Sequence, residues 1–461
     1  FPIGLSQLID VMQMDGMISA TDVYPLFIGE GNYHQILLIN AMTQALQNAH
    51  QPLFSIEFQS GGNQDFGGAQ SSLYDLHTRL SISCGMRGIN HYLFFDGEND
   101  PIISPTKRHN WGQPIRKDGT PRRHYARYGK LSRVVNAYGQ ALVQARPKTV
   151  TTIGFQLDTF MTEVNNPFTR AASDIITHQR DVILFDFIAR GLALTHRPFD
   201  ALEISRSPLD ATQTPLLWVM MDKQCDASTQ QKLVEYVQQG GNLVLIGRLC
   251  DETFAHEPCR ILQDALNVQS SSAAAFESTH IQAFKHRDVP VAFLETYHGD
   301  FEAVFATSEA GEAVGFTQLL GAGRVMVLGA ALSANILEDI DILHQMAMHM
   351  GCTPLFTMSD WLDVRLSQGE RGSFLFVNNY QDDPIESTIT LEGVPLFDGH
   401  PVNIAARSGA ILPLNWQVTP DVMVHSLTAE VIAVSESAGH VTLKTAAHGH
   451  AAVSGSATVR D

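Results

Sequence analysis

Three stretches of the chain end an apolar run on carboxylates. In Gln51-Pro-Leu-Phe-Ser-Ile-Glu57-Phe-Gln59-Ser-Gly-Gly62 the run Leu53 to Ile56 stops at Glu57, just before two glycines. Met17-Ile-Ser-Ala20 leads into Thr21-Asp22-Val-Tyr24-Pro25, and Gly88 to Phe95 leads into Asp96-Gly-Glu98-Asn99-Asp-Pro101. A carboxylate closes an apolar strand only where water, an ionic partner or a ligand meets it. Hydration or an ion pair accounts for any one of these residues, but three strands delivering carboxylates to one place point to a site. Aromatic rings (Tyr24, Phe58, Phe66, Tyr92, Trp111) and amides (Gln59, Asn63, Asn90, Asn99) accompany them. Glycoside hydrolysis needs this combination: a carboxylate nucleophile, a second carboxyl as acid/base, flat apolar platforms and groups that bind hydroxyls. Glu57 is the candidate nucleophile. Asp22, Tyr24, Gln59, Tyr92, Asp96, Glu98 and Trp111 are the candidate substrate-binding residues. The sequence offers no metal-ligand cluster, His448 and His450 being too loosely arranged, and no cofactor is expected.

The elements that position these residues follow from hydrophobic periodicity. Strand starts near residues 17, 52 and 89 alternate with helices over about 34–48, 70–84 and 122–145, the rhythm of βα units. In a parallel α/β barrel the C-terminal ends of the strands form the active-site rim. A further helix is expected over 1–15. Arg146-Pro147 reads as a boundary, giving three domains over 1–147, 148–352 and 353–461. The middle one alternates strands (151–155, 216–221, 243–246, 323–328) with helices (173–190, 226–239, 335–350). That is a doubly wound, flavodoxin-like α/β pattern. It has no phosphate loop, no dinucleotide fingerprint and no nucleophile elbow. From 353 onward short alternating runs at 372–377, 387–391 and 430–435 predict a small β-sandwich.

Thirty basic against 48 acidic side chains give a net charge of −18, which argues against nucleic acid or an anionic membrane as a partner. The basic residues between Lys107 and Arg133 read as a solvated face. Five scattered cysteines form neither a CxxC pair nor a disulfide framework, so buried free thiols and a cytoplasmic location are expected. The chain starts at Phe1 without a signal segment, and the expectation is that it is cut from something longer.

Ser-Ile-Glu57-Phe-Gln-Ser-Gly-Gly, Asp65-Phe-Gly-Gly and Asn90-His-Tyr-Leu-Phe-Phe-Asp-Gly-Glu-Asn99 together resemble the later half of the catalytic barrel of glycoside hydrolase family 35. Gln113-Pro-Ile-Arg-Lys-Asp-Gly-Thr-Pro…Tyr125 resembles the turn before that barrel's last helix. The resemblance implies that Glu57 is the nucleophile at the end of strand seven, and that Tyr92 to Asn99 close strand eight, although Asp96, Gly97 and Glu98 depart from the family pattern. The order barrel, flavodoxin-like domain, β-domain is similar to family 42 β-galactosidases and to archaeal exo-β-D-glucosaminidases. It implies a retaining exo-β-glycosidase, foremost a β-galactosidase, acting on an oligosaccharide or β-galactoside. A glucosaminidase, with Asp96 or Glu98 pairing the substrate ammonium, is the nearest alternative, and a non-catalytic sugar-binding subunit the more distant one. The family's acid/base glutamate follows strand four, a motif with no counterpart here. A complete barrel takes roughly 250 residues, so only three or four of its strands are expected. The acid would then come from an N-terminal half outside this chain or from a companion chain, and a homo-oligomer is the alternative expectation for its partners.

Overall fold

Short apolar runs bounded by glycine and proline set three parallel strands early in the chain: β1 (Thr21–Val23), β2 (Leu53–Gln59) and β3 (Met86–Tyr92). The structure is a computed structural model and describes residues 11–16, 18–60, 62–64, 67–68, 72–109, 111–162, 166–271, 279–455 and 457–460. Most of the expected first helix, Asp65, Phe66 and the side chain of Asn63 lie outside the described residues. The helices α1 (Tyr33–Leu46), α2 (Leu73–Ser83) and α3 (Tyr125–Gln144) follow the three strands in turn. The sheet order is β1-β2-β3, so consecutive βα units lie side by side and their C-terminal ends share one edge. None of the described helices is long and apolar enough to cross a membrane.

The chain divides into two compact units. One comprises residues 18–40, 50–148 and 355–461; the other is 149–354 with two short N-terminal segments. In the first, Leu53 and Phe58 of β2 pack with Tyr74 of α2, Met86 of β3, and Tyr128 and Leu131 of α3. Further along α3, Val134, Tyr138, Ala141 and Leu142 enter a core with Phe374, Ile411 and Trp416. Those residues belong to a six-stranded antiparallel sheet ordered 451–454, 422–427, 408–419, 372–379, 363–369 and 146–147. Arg146-Pro147, read from sequence as a boundary, is the edge strand of that sheet. The expected strand 387–391 is two strands, Ile385–Ser387 and Ile389–Leu391, which join different sheets. The buried Arg79 of α2 is held by Asp75 one turn earlier, at 3.2 Å, and by both oxygens of Glu430.

In the second unit the parallel strands run in the order 199–203, 151–155, 216–221, 242–247, 323–328. Numbered along the chain this is 2-1-3-4-5, a doubly wound order. Runs such as Leu216-Leu-Trp-Val-Met-Met221 are buried throughout, as strands covered on both faces must be. Antiparallel strands between residues 279 and 320, absent from the sequence-based expectation, extend the sheet. The helix expected over 173–190 runs from Arg170 to Leu194, with a π-helical segment at Arg180–Ala189. The described cysteines are free thiols; Cys250 is hydrogen-bonded to Cys225.

Candidate active site

Strand β2 carries one residue more than either neighbour at the point where Glu57 sits. Against β1, Thr21 lies opposite Ser55 and Asp22 opposite Glu57; against β3, Ile89 lies opposite Ser55 and His91 opposite Phe58. Both pairings slip between Ser55 and Phe58, which defines a bulge. Its consequence follows from the two-residue period of a strand. Leu53 and Phe58 are five apart, yet both reach the same helix-covered core. An unbroken strand would send Glu57 to the face of Leu53. The extra residue turns it to the opposite face, away from the helices. The Asn90 side-chain amide donates to the Ile56 carbonyl at 2.8 Å and so satisfies a backbone group that the bulge frees. Phe58 is stacked on the buried His77 imidazole, with ring centres 4.0 Å apart and planes within 8°. Burial holds that imidazole well below its ordinary value, at about 3, so it is neutral.

On the face of Glu57 the Tyr24 hydroxyl donates to Glu57 Oε2 at 2.9 Å. The tyrosine's pKa is pushed far upward by burial, then by that hydrogen bond and by the Glu57 charge, so it remains a donor across the physiological range. Asp22 stands in register beside Glu57. Desolvation and then the neighbouring Glu57 carboxylate raise its pKa. Tyr92, opposite in parity to His91 and Ile89, turns its ring to the same side. It meets Tyr24 edge-on at 6.1 Å, and Trp111 lies 6.3 Å beyond Tyr92. Trp111 is 44% exposed, a flat face left open to solvent. Its backbone carbonyl accepts from Gly62, and its ring lies 5.2 Å from His109, which Asn99 holds at 3.0 Å.

The structure thus brings together Asp22, Tyr24, Glu57, Tyr92 and Trp111. Each of the other three candidates has a partner within the chain. Gln59 is buried and accepts from the Leu26 amide at 3.0 Å. Asp96 is buried against Arg122 at 2.8 Å. Glu98 is exposed, and its ion pair with Lys117 lowers its pKa. Two positioning side chains escape a reading of residue types: Tyr128, whose hydroxyl donates to the Ser60 carbonyl at 2.8 Å, and His77 behind Phe58. Aromatic spacing on the two helices was the available signal. Among the described residues no group of three or more His, Cys, Asp or Glu side chains is placed to hold a metal ion.

Comparison with known proteins gives first a class of fold. The chain superimposes on the β-galactosidase from Bacillus circulans sp. alkalophilus with a TM-score of 0.69 at 15% identity, covering 89% of this chain and 61% of that one. A GH42 β-galactosidase from G. stearothermophilus gives 0.66 at 13% identity, covering 88% and 60%. The fold is therefore similar to that of TIM-barrel glycoside hydrolases with β-sandwich domains. More particular likenesses come from sequence. Residues 169–302 match the second domain of GLMA-like proteins. The chain is 22% identical over 388 residues to a β-1,2-glucosyltransferase of Ignavibacterium album, covering 80% of this chain and 53% of that protein. It is 30% identical over 233 residues to an exo-β-D-glucosaminidase of Thermococcus kodakarensis, covering 49% and 28%. The chain spans about half the length of the first relative and under a third of the second.

Proposed function

We propose that the protein is a retaining exo-β-glycosidase in which Glu57 is the nucleophile, with a β-galactoside as the foremost substrate. The observation that carries this reading is the bulge. It turns Glu57 out of the helix-covered core and beside the Tyr24 hydroxyl, on the face where the Tyr92 and Trp111 rings follow one another. A Glu57 oxygen bonds to the anomeric carbon as the glycosidic carbon–oxygen bond breaks, and the leaving oxygen takes a proton from a carboxylic acid. Water, giving its proton back to that carboxylate, then displaces Glu57 and frees the sugar. Tyr24 steadies the carboxylate before attack and keeps its proton throughout. Asp22 lies beside Glu57 on the neighbouring strand, on the same side of any ring that Glu57 attacks, so it serves a hydroxyl and not the leaving group.

The proton donor belongs across the pocket, on a carboxyl outside these 461 residues or on a companion chain. Retaining pairs stand roughly 5–5.5 Å apart, and Asp96 and Glu98 are committed to Arg122 and Lys117. In this reading residues 1–147 are the later half of a (β/α)8 barrel of the family 35 or 42 kind. Residues 148–352 form a flavodoxin-like support and 353–461 a β-sandwich.

A second reading, exo-β-D-glucosaminidase, is favoured by the name of the 30% identical relative. Asp22 is then the carboxylate for the substrate ammonium. A third product follows from the same glycosyl-enzyme if a sugar hydroxyl replaces water, which is transfer as in the Ignavibacterium relative's name. The experiment is to treat the full-length protein with 2-deoxy-2-fluoro-β-galactosyl and -glucosyl fluorides and to locate the adduct by peptide mass. An adduct on the Glu57 peptide supports the reading. Turnover of nitrophenyl β-glycosides with the label on another carboxylate overturns it. Sugar binding with no hydrolysis or transfer, all partner chains present, leaves a carbohydrate-binding subunit.

A further inference from the structure

A cavity lies in the C-terminal β region of the same compact unit, and none of the rim residues line it. Its volume is about 500 Å³, inside the roughly 300–1,000 Å³ range of small-molecule sites. Its floor is fixed. The Glu430 carboxylate, buried, accepts from Arg79 and from the Ile411 amide at 2.8 Å, with Lys130 Nζ 3.7 Å away at the open side. The backbone at Gly409 lies so close to the layer beneath that a Cβ there would come within 2.4 Å of Asn378 Oδ1. One wall is pinned by Thr428, which exchanges hydrogen bonds with His450: His450 N donates to Thr428 Oγ1 at 2.8 Å and Thr428 N to the His450 carbonyl at 3.0 Å. The His450 ring is stacked on His400, with centres 3.8 Å apart and planes 4° from parallel. The opposite lip carries Glu386 and Asn403, paired across a two-stranded ribbon and both exposed.

The charges decide what fits. Arg79 and Lys130 are matched by Asp75 and Glu430, so the cavity has no surplus positive charge with which to hold a phosphate or a carboxylate, and the one carboxylate left over, Glu386, is exposed at the lip where water and salt screen it. Open to a ligand at the mouth are the Asn403 amide, the Glu386 carboxylate and the His450 imidazole edge, over walls that include alanine, proline and glycine. Those groups bind hydroxyls, and the small apolar residues accept the C–H face of a ring. The geometry points to a carbohydrate-binding site, holding a neutral hexopyranoside unit and separate from the Glu57 rim. The choice of a sugar as its ligand rests on the glycosidase reading above; the cavity itself does not.

Five alanines (405, 410, 429, 446 and 447) line this cavity and report on it directly. The test uses the full-length protein carrying Glu57→Gln, labelled with ¹³C at alanine methyls. It is titrated to about 10 mM, well past a roughly 1 mM affinity, with methyl β-galactoside, methyl β-glucoside, methyl β-glucosaminide, myo-inositol or inorganic phosphate. The expected result is saturable shifts of these methyls with a neutral glycoside, weakened at least tenfold in Glu386→Ala and Asn403→Ala, both surface changes. Silence with every sugar, a response to phosphate or to inositol alone, a preference for the amino sugar, or undiminished binding in both variants overturns the assignment. Failure here alongside labelling of Glu57 leaves the catalytic reading intact. Shifts here without any adduct on Glu57 separate the two the other way.

Discussion

Both parallel sheets of this protein end strands on carboxylates, but they use them differently. In the 151–328 sheet the chain consumes them. Glu203 accepts from the Arg206 amide at 2.6 Å, the Leu157 amide and the Ser205 hydroxyl, and Asp222 accepts from the Lys223 amide at 2.7 Å; Glu295, in the connection before residues 297–299, accepts from the Leu249 amide at 2.7 Å and the Tyr297 hydroxyl at 2.8 Å. These are loop-fastening groups. At the β1-β2-β3 edge Glu57 accepts a tyrosine hydroxyl that belongs to the same open face. A strand-end carboxylate is thus free for chemistry when backbone donors do not claim it, and the bulge at Ile56 is what removes Glu57 from such donors.

The contrast can be broken in four places. Glu57→Gln should lower glycoside turnover by about three orders of magnitude or more with little change in melting temperature, whereas Glu203→Gln should spare turnover and cost about 1–3 kcal/mol of stability. Equal effects of the two on rate would erase the distinction. Deleting Ile56 removes the extra residue, and with Leu53, Ser55 and Phe58 keeping their face position 57 stays on the open face. The variant, folded by circular dichroism, should keep more turnover than Glu57→Gln in the same assay; a loss as complete as in Glu57→Gln would show that facing the open side is not what makes Glu57 competent. Tyr24→Phe removes one hydrogen bond to a charged group, worth about 1.5–3 kcal/mol, so kcat/KM should drop roughly 10- to 150-fold in steady-state assays.

The last effect is on stability as a function of pH and not on rate. Burial raises the Glu295 carboxyl from 4.5 to about 7. The folded state therefore holds a proton that the unfolded state gives up. Its contribution is fully present below about pH 4.5 and is lost as pH rises through 7, a change of up to about 3 kcal/mol. Melting followed between those limits should show that decline in the native chain and a flatter profile in Glu295→Gln.

The strand ends carrying Asp22 and Glu57, and the βα rhythm that aligns them, were legible because apolar runs punctuated by glycine and proline are local signals. The bulge was not, since an extra residue in a strand is visible only against its neighbours' register. Nor was the fate of Asp96, whose partner Arg122 is 26 residues away. Side-chain type marked Asp96, Glu98 and Gln59 as ligand-binding candidates; long-range pairing decides what each is left to do. Asn90 illustrates the same limit: an amide suited to a sugar hydroxyl is occupied by the Ile56 carbonyl.

The guanidinium of Arg79 has a practical corollary. It is fully enclosed, and one of its two anionic partners comes from 351 residues further along the chain. Removing one member of such a pair costs about 3–5 kcal/mol, a large part of a domain's stability. The three early strands are therefore not separable from the C-terminal β layer without cost: a truncation that removes Glu430 takes away one of the two carboxylates that neutralise this cation.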